Sequence, residues 1–206
     1  MALHRTVSEM ERHELQKLHY ITPIENVPSI LELGILSHVK ASPVKHVSIA
    51  MQEIQDLRVG RKVPGGRRLH DYVPLYFHAR NPMLYKRRGQ VSSLCVLLVS
   101  TDVLDLAGVI VASCNASSEY CHFSPAPGGL RFIDRERTFA EVWTDDNDQI
   151  EYLRKKAAKC AEVLVPDQVD PKFISGACVG SEIAQQRLRD LAPNLPVSFN
   201  YHLFFC

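Results

Sequence analysis

One carboxylate stands at the start of an apolar run late in the chain. In the stretch KKAAKCAEVLVP, Glu162 follows a basic segment and precedes three aliphatic residues at 163–165. The aliphatic run predicts a buried strand, and such a strand would hold the acid rigidly. An acid fixed in that way can accept a hydrogen bond from a substrate hydroxyl and stabilise positive charge that develops nearby. The alternative is an exposed carboxylate at a strand end, paired with one of the three lysines before it.

A basic loop with the sequence VGRKVPGGRRLHD is the second candidate. Five cations and no acid lie between positions 58 and 68: Arg58, Arg61, Lys62, Arg67 and Arg68. Such groups bind phosphate, and the two glycines would let the loop backbone approach a ligand. The loop therefore indicates contact with a nucleotide or a nucleic-acid backbone, or else it is a solvated surface.

Aromatic side chains crowd the stretch LHDYVPLYFHARNPMLY, which includes Tyr72, Tyr76 and Tyr85. Tyrosine rings are suited to stacking on a nucleobase or a nicotinamide ring. The alternative is a half-buried strand with hydroxyls at its edges. Three further cations follow at positions 86–88.

A polar turn, SCNASS, follows the apolar run GVIVA. Its Asn115 can anchor a loop or a ligand, although ordinary turns have the same composition. Cys114 and Cys121 lie close to His122 in the sequence, but their spacing fits no standard four-ligand zinc pattern. We therefore expect no metal site.

The composition limits the class of protein. The chain has 206 residues, 46% of them apolar, with 24 Lys and Arg against 23 Asp and Glu. That is enough for the core of one domain, which we expect to span residues 1–206. No run of eighteen apolar residues predicts a membrane span, and the charged N-terminal segment argues against a secretory signal. Six cysteines without a CxxC pair indicate free thiols and a cytoplasmic protein.

The elements that must position these residues follow from hydrophobic periodicity. Strands are predicted at LHYIT, YVPLYF, SLCVLLVS, VIVAS, AEVLV, FISGACVG and VSFNYHLFF. Helices are predicted at ENVPSILELGIL, SIAMQEIQDLR, residues 149–159 and SEIAQQRLRDL. In the first, Ile30, Leu31 and Leu33 are expected to face inward and Gly34 to end the helix. In the second, the apolar positions are Ile49, Ile54 and Leu57. Strands with irregularly interspersed helices predict an α+β fold. The chain lacks GxGxxG and GxxxxGK[ST], the two standard nucleotide-binding loops.

These features, in this order, resemble the DarT family of DNA ADP-ribosyltransferases, the toxin half of a toxin–antitoxin pair. The resemblance runs from HYITPIENVPSIL to YHLFF; its most specific part is LHDYVPLYFHARNPMLY, and AEVLVP resembles the family's catalytic-glutamate strand. It implies the ADP-ribosyltransferase fold, with two small twisted sheets forming an NAD cleft and helices around them. It further implies NAD as co-substrate, sequence-specific transfer to a base of single-stranded DNA, and a macrodomain antitoxin that removes the ADP-ribose.

The resemblance also implies roles for individual residues. The catalytic residues would be Glu162 and Arg58, with Arg61 as the second choice for the essential arginine. The NAD-binding residues would be His19, Tyr20, Thr22, Arg58 and Tyr76. The DNA-binding residues would be Arg61, Arg67, Arg68, Tyr85 and Asn115. Arg58 is expected to anchor a phosphate or the transition state, because an arginine with a pKa above about 12 is a poor base.

Two positions depart from the family pattern. The family often reads Tyr-His-Ile-Thr near its N-terminus, whereas this chain reads HYIT. The ring that faces NAD is therefore predicted to be that of Tyr20, with His19 on the opposite side of the strand. The turn after the strand VIVAS often carries a histidine in the family and here carries Asn115, which leaves open whether thymine or guanine is modified.

Three other functions stay open from the sequence. The first is a binding module without catalysis, against which the presence of Glu162 argues. The second is an ADP-ribosyltransferase acting on RNA or protein. Protein arginine is disfavoured, because Cys160 occupies the position of the second acid found in enzymes of that kind. The third is an NAD glycohydrolase, although the basic segments favour a polyanionic acceptor over water.

Overall fold

The computed structural model describes residues 10–144 and 147–206. In chain order the strands of this part are β1 (Leu18–Pro23), β2 (Ile35–Leu36), β3 (Tyr72–Tyr76), β4 (Leu94–Val99), β5 (Ile110–Ala112), β6 (Phe123–Pro125), β7 (Glu162–Pro166), β8 (Gln168–Val169), β9 (Ile174–Val179) and β10 (Val197–Phe199). The α-helices are α1 (Val27–Leu33), α2 (His38–Ala41), α3 (Gln52–Val59), α4 (Pro82–Lys86), α5 (Arg135–Phe139), α6 (Gln149–Ala158) and α7 (Glu182–Leu191). The expected α+β class is confirmed.

Eight of the strands form one sheet in the order β10-β9-β4-β1-β3-β7-β5-β6. At its centre, β1 and β3 share a single register pair, His19 with Tyr76, whereas β1 forms six pairs with β4 and β3 forms five with β7. The sheet therefore consists of two four-stranded halves that meet at one residue pair. The two small sheets expected from the sequence are the halves of this sheet, and β2 and β8 pair separately.

Successive side chains of a strand point to opposite faces of the sheet, and one of these faces packs into the main core. Val73 and Leu75 of β3 and Val163 and Val165 of β7 are fully buried there. Helices α1 and α7 contribute apolar residues to the same cluster. The opposite face of these two central strands carries Tyr76 and Glu162, which are register partners. Burial on one face thus leaves the other face of the strands available for a site.

The predicted first helix ends as expected at Gly34. This glycine has a φ of 85°, and its N–H donates to the carbonyl of Ile30 at 2.8 Å. A Cβ at this position would lie 2.4 Å from the carbonyl oxygen of Val169, so only glycine fits where the helix passes into β2. Leu33, expected to face inward, is 42% exposed, and that expectation is wrong.

The last predicted strand, VSFNYHLFF, is only partly correct. Its first three residues form β10, and the chain then turns into a 3₁₀-helix at His202–Phe204. Leu203 and Phe204 are both buried in the second core cluster. Neighbouring residues of a strand point to opposite faces, so a helical turn is what allows both side chains to enter one cluster.

Candidate active site

A cleft opens where β1 and β3 diverge beyond their single pair. Its volume is about 510 Å³, within the usual range for small-molecule sites. Its walls come from β1, β3, α3, the C-terminal half of α6, the turn containing Asn115, and an extended segment at residues 46–51. The divergence of the two half-sheets therefore creates the space in which the candidate residues meet.

Glu162, the first residue of β7, does not line the cavity itself but lies directly behind it, in contact with Arg58, which does. It is 2% exposed, and its neighbours across the sheet are Tyr76 on β3 and Ala112 on β5. The backbone N–H of Ala116 donates to Oε1 at 3.3 Å, and Arg58 Nη1 lies 3.2 and 3.1 Å from the two carboxylate oxygens. An exposed carboxylate at a strand end, the alternative from the sequence, is therefore wrong.

Arg58 belongs to the last turn of α3 and is 6% exposed. Its Nη2 is also buried, and it has no hydrogen-bond partner among the described residues. Leu57, expected to be an inward apolar position of this helix, is instead 59% exposed. The helix thus turns a charged group inward, with one guanidinium nitrogen left to donate to a ligand in the cleft.

Two tyrosines line the cleft on either side of the strand junction. Burial raises the pKa of Tyr20 to about 12 and that of Tyr76 above its ordinary value, with the Glu162 carboxylate adding to the second shift. Both phenols therefore stay protonated at neutral pH and can donate hydrogen bonds. Thr22 of β1 also lines the cleft and accepts a hydrogen bond from Asn26 Nδ2 at 3.3 Å.

His19 does not line the cleft. Its Nδ1 lies 3.2 Å from the carbonyl oxygen of Phe77, and burial lowers its pKa. A neutral imidazole that carries its proton on Nδ1 satisfies this contact. His19 therefore braces the single junction between the half-sheets, beside Tyr76, and Tyr20 is the ring of this pair that faces the cavity.

The segment at residues 46–51 forms a strap along one side of the cleft. Asn26 binds both backbone groups of Val47, with its Nδ2 2.8 Å from the carbonyl oxygen and its Oδ1 2.9 Å from the amide nitrogen. Arg87 donates two hydrogen bonds, at 3.1 and 2.6 Å, to the carbonyl of Ile49. No sequence pattern identified Asn26 as a residue that positions the strap, because an asparagine just before a helix is normally interpreted as its N-cap.

Asn115 also lines the cleft. Its Oδ1 accepts hydrogen bonds from the backbone N–H and the hydroxyl of Ser117, at 3.0 and 2.8 Å. These bonds identify Oδ1 as the occupied end of the amide, so Nδ2 is the end available to a ligand. The next residue, Ala116, holds Glu162, so this turn links the amide donor to the buried carboxylate.

The three arginines expected to contact DNA lie on a hairpin beside the cleft and do not line it. The hairpin is closed by a bridge between Lys62 and Arg68. Arg67 pairs with Asp167 at 2.7 Å, and the guanidinium of Arg61 lies 5.9 Å from the ring centre of Phe123. The structure therefore separates these arginines from the residues of the cavity.

Tyr85 lies at the end of α4, near the mouth of the cleft. Its ring is 42% exposed, makes edge contacts with Trp143 and Phe205, and carries the guanidinium of Arg88 4.3 Å from its centre. The next residue, Lys86, lines the cleft. The partly exposed ring of Tyr85 therefore lies beside the cations Lys86 and Arg88 at the α4 side of the mouth.

A buried lysine near Glu162 was not anticipated from the sequence. Lys159 Nζ lies 2.7 Å from His78 Nδ1 and 2.7 Å from the carbonyl oxygen of Ala140. Burial lowers the pKa of Lys159 to about 8, and burial together with the nearby lysine lowers that of His78 to about 3. The pair ties the chain just after β3 to the turn before β7, the two strands that carry Tyr76 and Glu162.

The described residues show what the chain offers for metal binding, disulfide formation and membrane insertion. In residues 10–144 and 147–206, no group of three or more His, Cys, Asp or Glu side chains could hold a metal ion. All six cysteines are free, as expected. None of the described helices has the length and apolar character needed to cross a membrane.

Comparison with known proteins identifies chains that are related to this one. The family model described as "ssDNA thymidine ADP-ribosyltransferase, DarT" matches residues 19–205. A DNA ADP-ribosyl transferase of Thermus sp. is 34% identical over 72% of this chain and 73% of its own length. A DNA ADP-ribosyl transferase–DNA ADP-ribosyl glycohydrolase fusion protein of Thermosipho africanus is 30% identical over 92% of this chain. The chain spans about half the length of that fusion, 50%.

Two solved structures resemble the fold closely. The DarT of Thermus sp. 2.9 in complex with ADP-ribosylated ssDNA has a TM-score of 0.82 at 26% identity, over 96% of this chain and 100% of that chain. The Thermosipho africanus DarTG in complex with ADP-ribose has a TM-score of 0.79 at 28% identity, over 92% of this chain and 51% of that chain.

Proposed function

The chain belongs to the DarT family, and on that premise we propose that it transfers ADP-ribose from NAD to a base of single-stranded DNA, in a preferred sequence context. The observation that carries the proposal is the buried Glu162 carboxylate, held by Ala116 and by Arg58, which lines the cleft. The family description names thymidine, which supports thymine as the base. The Thermus DarT complex with ADP-ribosylated ssDNA supports a DNA acceptor.

Glu162 has the position that the chemistry requires. When the bond between nicotinamide and ribose breaks, nicotinamide leaves with the bonding electrons and positive charge develops on the ribose. A carboxylate that accepts a hydrogen bond from a ribose hydroxyl stabilises this charge as it forms. A ring nitrogen of the base then bonds to the ribose carbon and releases its proton, so no covalent enzyme intermediate is needed.

The remaining cleft residues are proposed to hold NAD. Arg58 would use its unpaired Nη2 for a phosphate or for charge in the transition state, since a guanidinium binds phosphate well. Tyr20, Thr22 and Tyr76 line the cavity, and the protonated phenols can donate to the dinucleotide. His19 would act indirectly, by holding the strand junction that shapes the cleft.

The DNA would enter from the mouth between α4 and the turn at Asn115. The free amide of Asn115 is a donor, which suits a carbonyl oxygen beside the reactive nitrogen of a base. Thymine presents such an oxygen on either side of its N3–H. Tyr85 is proposed to stack on a neighbouring base, and the hairpin arginines Arg61, Arg67 and Arg68 to contact backbone phosphates.

We also propose that residues 1–206 act as one catalytic domain, which the family match over residues 19–205 supports. The fused glycohydrolase of the Thermosipho relative supports an antitoxin partner of the same activity, a macrodomain protein, for this chain. NAD and DNA are cytoplasmic molecules, and the six free cysteines suit a reducing compartment, so we propose action in the cytoplasm.

The test is to incubate the protein with NAD and matched acceptors. The panel contains single-stranded DNA, the same strand annealed to its complement, RNA of the same sequence and a protein mixture. We expect a mass gain of one ADP-ribose on thymine in the single strand, favoured over the duplex by roughly ten- to a thousandfold, because a paired base must first be unstacked at a few kcal/mol. Glu162→Gln is the control. Labelling of protein or RNA alone, or release of free ADP-ribose without any acceptor, would contradict the proposal.

A further inference from the structure

The loop that carries Asn115 and Ala116 is closed by two cysteines. Strands β5 and β6 end in the register pair of Ala112 with Phe123. The next pair continues the ladder, since the N–H of Ser113 donates to the carbonyl of His122 at 3.0 Å and the N–H of His122 donates to the hydroxyl of Ser113 at 3.1 Å. One step further, the register brings Cys114 opposite Cys121 at the neck of the loop.

The geometry of this pair suits a covalent bond between the sulfurs. Cys121 Sγ lies 3.6 Å from the carbonyl oxygen of Cys114, so the partly buried Cys121 folds over the buried Cys114. Opposite residues of an antiparallel ladder have Cα atoms about 4.5–5.5 Å apart. This spacing falls within the roughly 4.4–6.8 Å that a disulfide requires.

The pKa values of the two thiols are shifted in opposite directions. A hydrogen bond from the Cys121 thiol, with lesser ones from the hydroxyls of Ser118 and Ser113, lowers the pKa of Cys114. The same bond, together with burial, raises the pKa of Cys121. Cys114 is therefore the more acidic thiol of the pair, which suits it to be the attacking cysteine, with Cys121 as the resolving one.

We propose that Cys114 and Cys121 are a redox modification site, which a hydroperoxide converts into a disulfide that slows the transfer reaction. Cys114 gives up its thiol proton and attacks one peroxide oxygen, the O–O bond breaks, and the leaving hydroxide takes up that proton as water, giving a sulfenic acid. The Cys121 sulfur then attacks the Cys114 sulfur, and its proton and the sulfenic hydroxyl leave as a second water. The two thiols are oxidised by two electrons and the peroxide is reduced by two.

The consequence for the site follows from the residues next to the bond. Ala116, two positions after Cys114, donates its N–H to Glu162 at 3.3 Å. Closing the bond brings the Cβ atoms to about 3.8 Å, closer than opposite residues in a ladder normally lie, and so draws the loop inward. A displacement of about 1 Å near reacting groups can lower a rate by up to a hundredfold. The effect on rate rests on the proposed transfer, whereas the disulfide itself does not.

The experiment treats the reduced full-length protein with hydrogen peroxide, then measures ADP-ribose transfer to single-stranded DNA and maps the peptides by mass. We expect a peptide joining Cys114 to Cys121 that has lost two hydrogens, a fall in rate of at least about tenfold, and recovery with dithiothreitol. Cys121→Ser should keep its rate after peroxide. Cys178→Ser, a change at another partly buried thiol, is the matched control and should respond like the unaltered protein.

Three outcomes would overturn the inference. One is the absence of the linked peptide, and another is a linked peptide whose formation leaves the rate unchanged. The third is a loss of rate in Cys121→Ser equal to that of the unaltered protein. If the reduced protein transfers nothing to any acceptor, the proposed function fails; peptide mapping and NAD binding before and after peroxide then still test the thiol pair.

Discussion

Arg58 Nη1 lies 3.2 and 3.1 Å from the two carboxylate oxygens of Glu162, although the residues are 104 positions apart in the chain. Both side chains are buried, so each charge depends on the other for compensation. In the proposed reaction, a ribose hydroxyl that binds Glu162 would replace one of these contacts, while the arginine stays beside the carboxylate.

Replacing Glu162 by glutamine should nearly abolish transfer while leaving NAD affinity largely unchanged. The acid acts mainly on charge that exists in the transition state, and loss of one such group lowers rates by about 10²–10³-fold. Single-turnover rates and calorimetric NAD binding measure the two effects. Glu162→Ala should lose stability as well, because it leaves Arg58 buried without its partner. A glutamine variant with a tenth or more of the rate would rule out the proposed role.

Arg58→Met should lower the free energy of unfolding by about 3–5 kcal/mol, because the Glu162 carboxylate then stays buried without its cation. The double variant Arg58→Met/Glu162→Gln should lose less than the sum of the two single losses, since both remove one shared contact. Urea denaturation measures all three. Arg61→Met, three positions away and with no carboxylate partner among the described residues, is the control. Strictly additive losses would show that the pair is not coupled.

Arg67→Ala combined with Arg68→Ala should weaken binding of single-stranded DNA and flatten its salt dependence by up to about one unit of slope per lost phosphate contact. NAD binding should change little, because the hairpin does not line the cleft. Arg187→Ala combined with Arg189→Ala is a matched control, since it also removes one ion-paired and one exposed arginine. An unchanged salt slope in the hairpin variant would mean that these residues form a solvated surface.

Tyr85→Ala should weaken binding of single-stranded DNA by about 1–3 kcal/mol, the usual contribution of one stacked base. Tyr85→Phe should bind almost normally, because stacking uses the ring and not the hydroxyl. Fluorescence anisotropy with a labelled oligonucleotide measures both affinities. If Tyr85→Phe weakens binding as much as Tyr85→Ala, the hydroxyl rather than the ring makes the contact.

The stability of the protein should fall in acid because of His78. Its pKa is lowered to about 3 from an ordinary value of 6.5, chiefly by burial and then by Lys159. Between these two values the unfolded chain binds a proton that the folded chain does not. The free energy of unfolding should therefore rise with pH across this window and be lost on acidification, by at most about 1.4 kcal/mol per pH unit.

The variant His78→Asn tests whether His78 causes this loss of stability in acid. Its side-chain oxygen can accept the Lys159 hydrogen bond but does not titrate, so the slope of stability between pH 3 and 6.5 should become shallower. Chemical denaturation at several pH values compares it with the unaltered protein and with His13→Asn, a change at an exposed histidine. A slope that His78→Asn leaves unchanged would contradict the assignment.

The sequence by itself determined seven of the ten described strands, four of the seven described α-helices and the place of Glu162. Alternating and continuous apolar runs predict strands because burial on a sheet face requires them, and residues 163–165 are buried as expected. Gly34 marked the end of α1 because its backbone conformation excludes other residues. These features are local, since each depends on the period and type of a few adjacent side chains.

Only the tertiary structure decided which groups meet. In the sequence, Arg58 was one of five cations in a basic segment. The structure distinguishes it from the others because the last turn of α3 brings it into contact with Glu162 at the start of β7, and no local pattern predicts that contact. The same holds for Lys159, which a basic run suggests is exposed and which instead lies buried against His78. Contacts between distant segments satisfy buried charges and hydrogen-bonding groups, and their partners follow from the topology of the sheet. The cleft itself exists because β1 and β3 share only one pair.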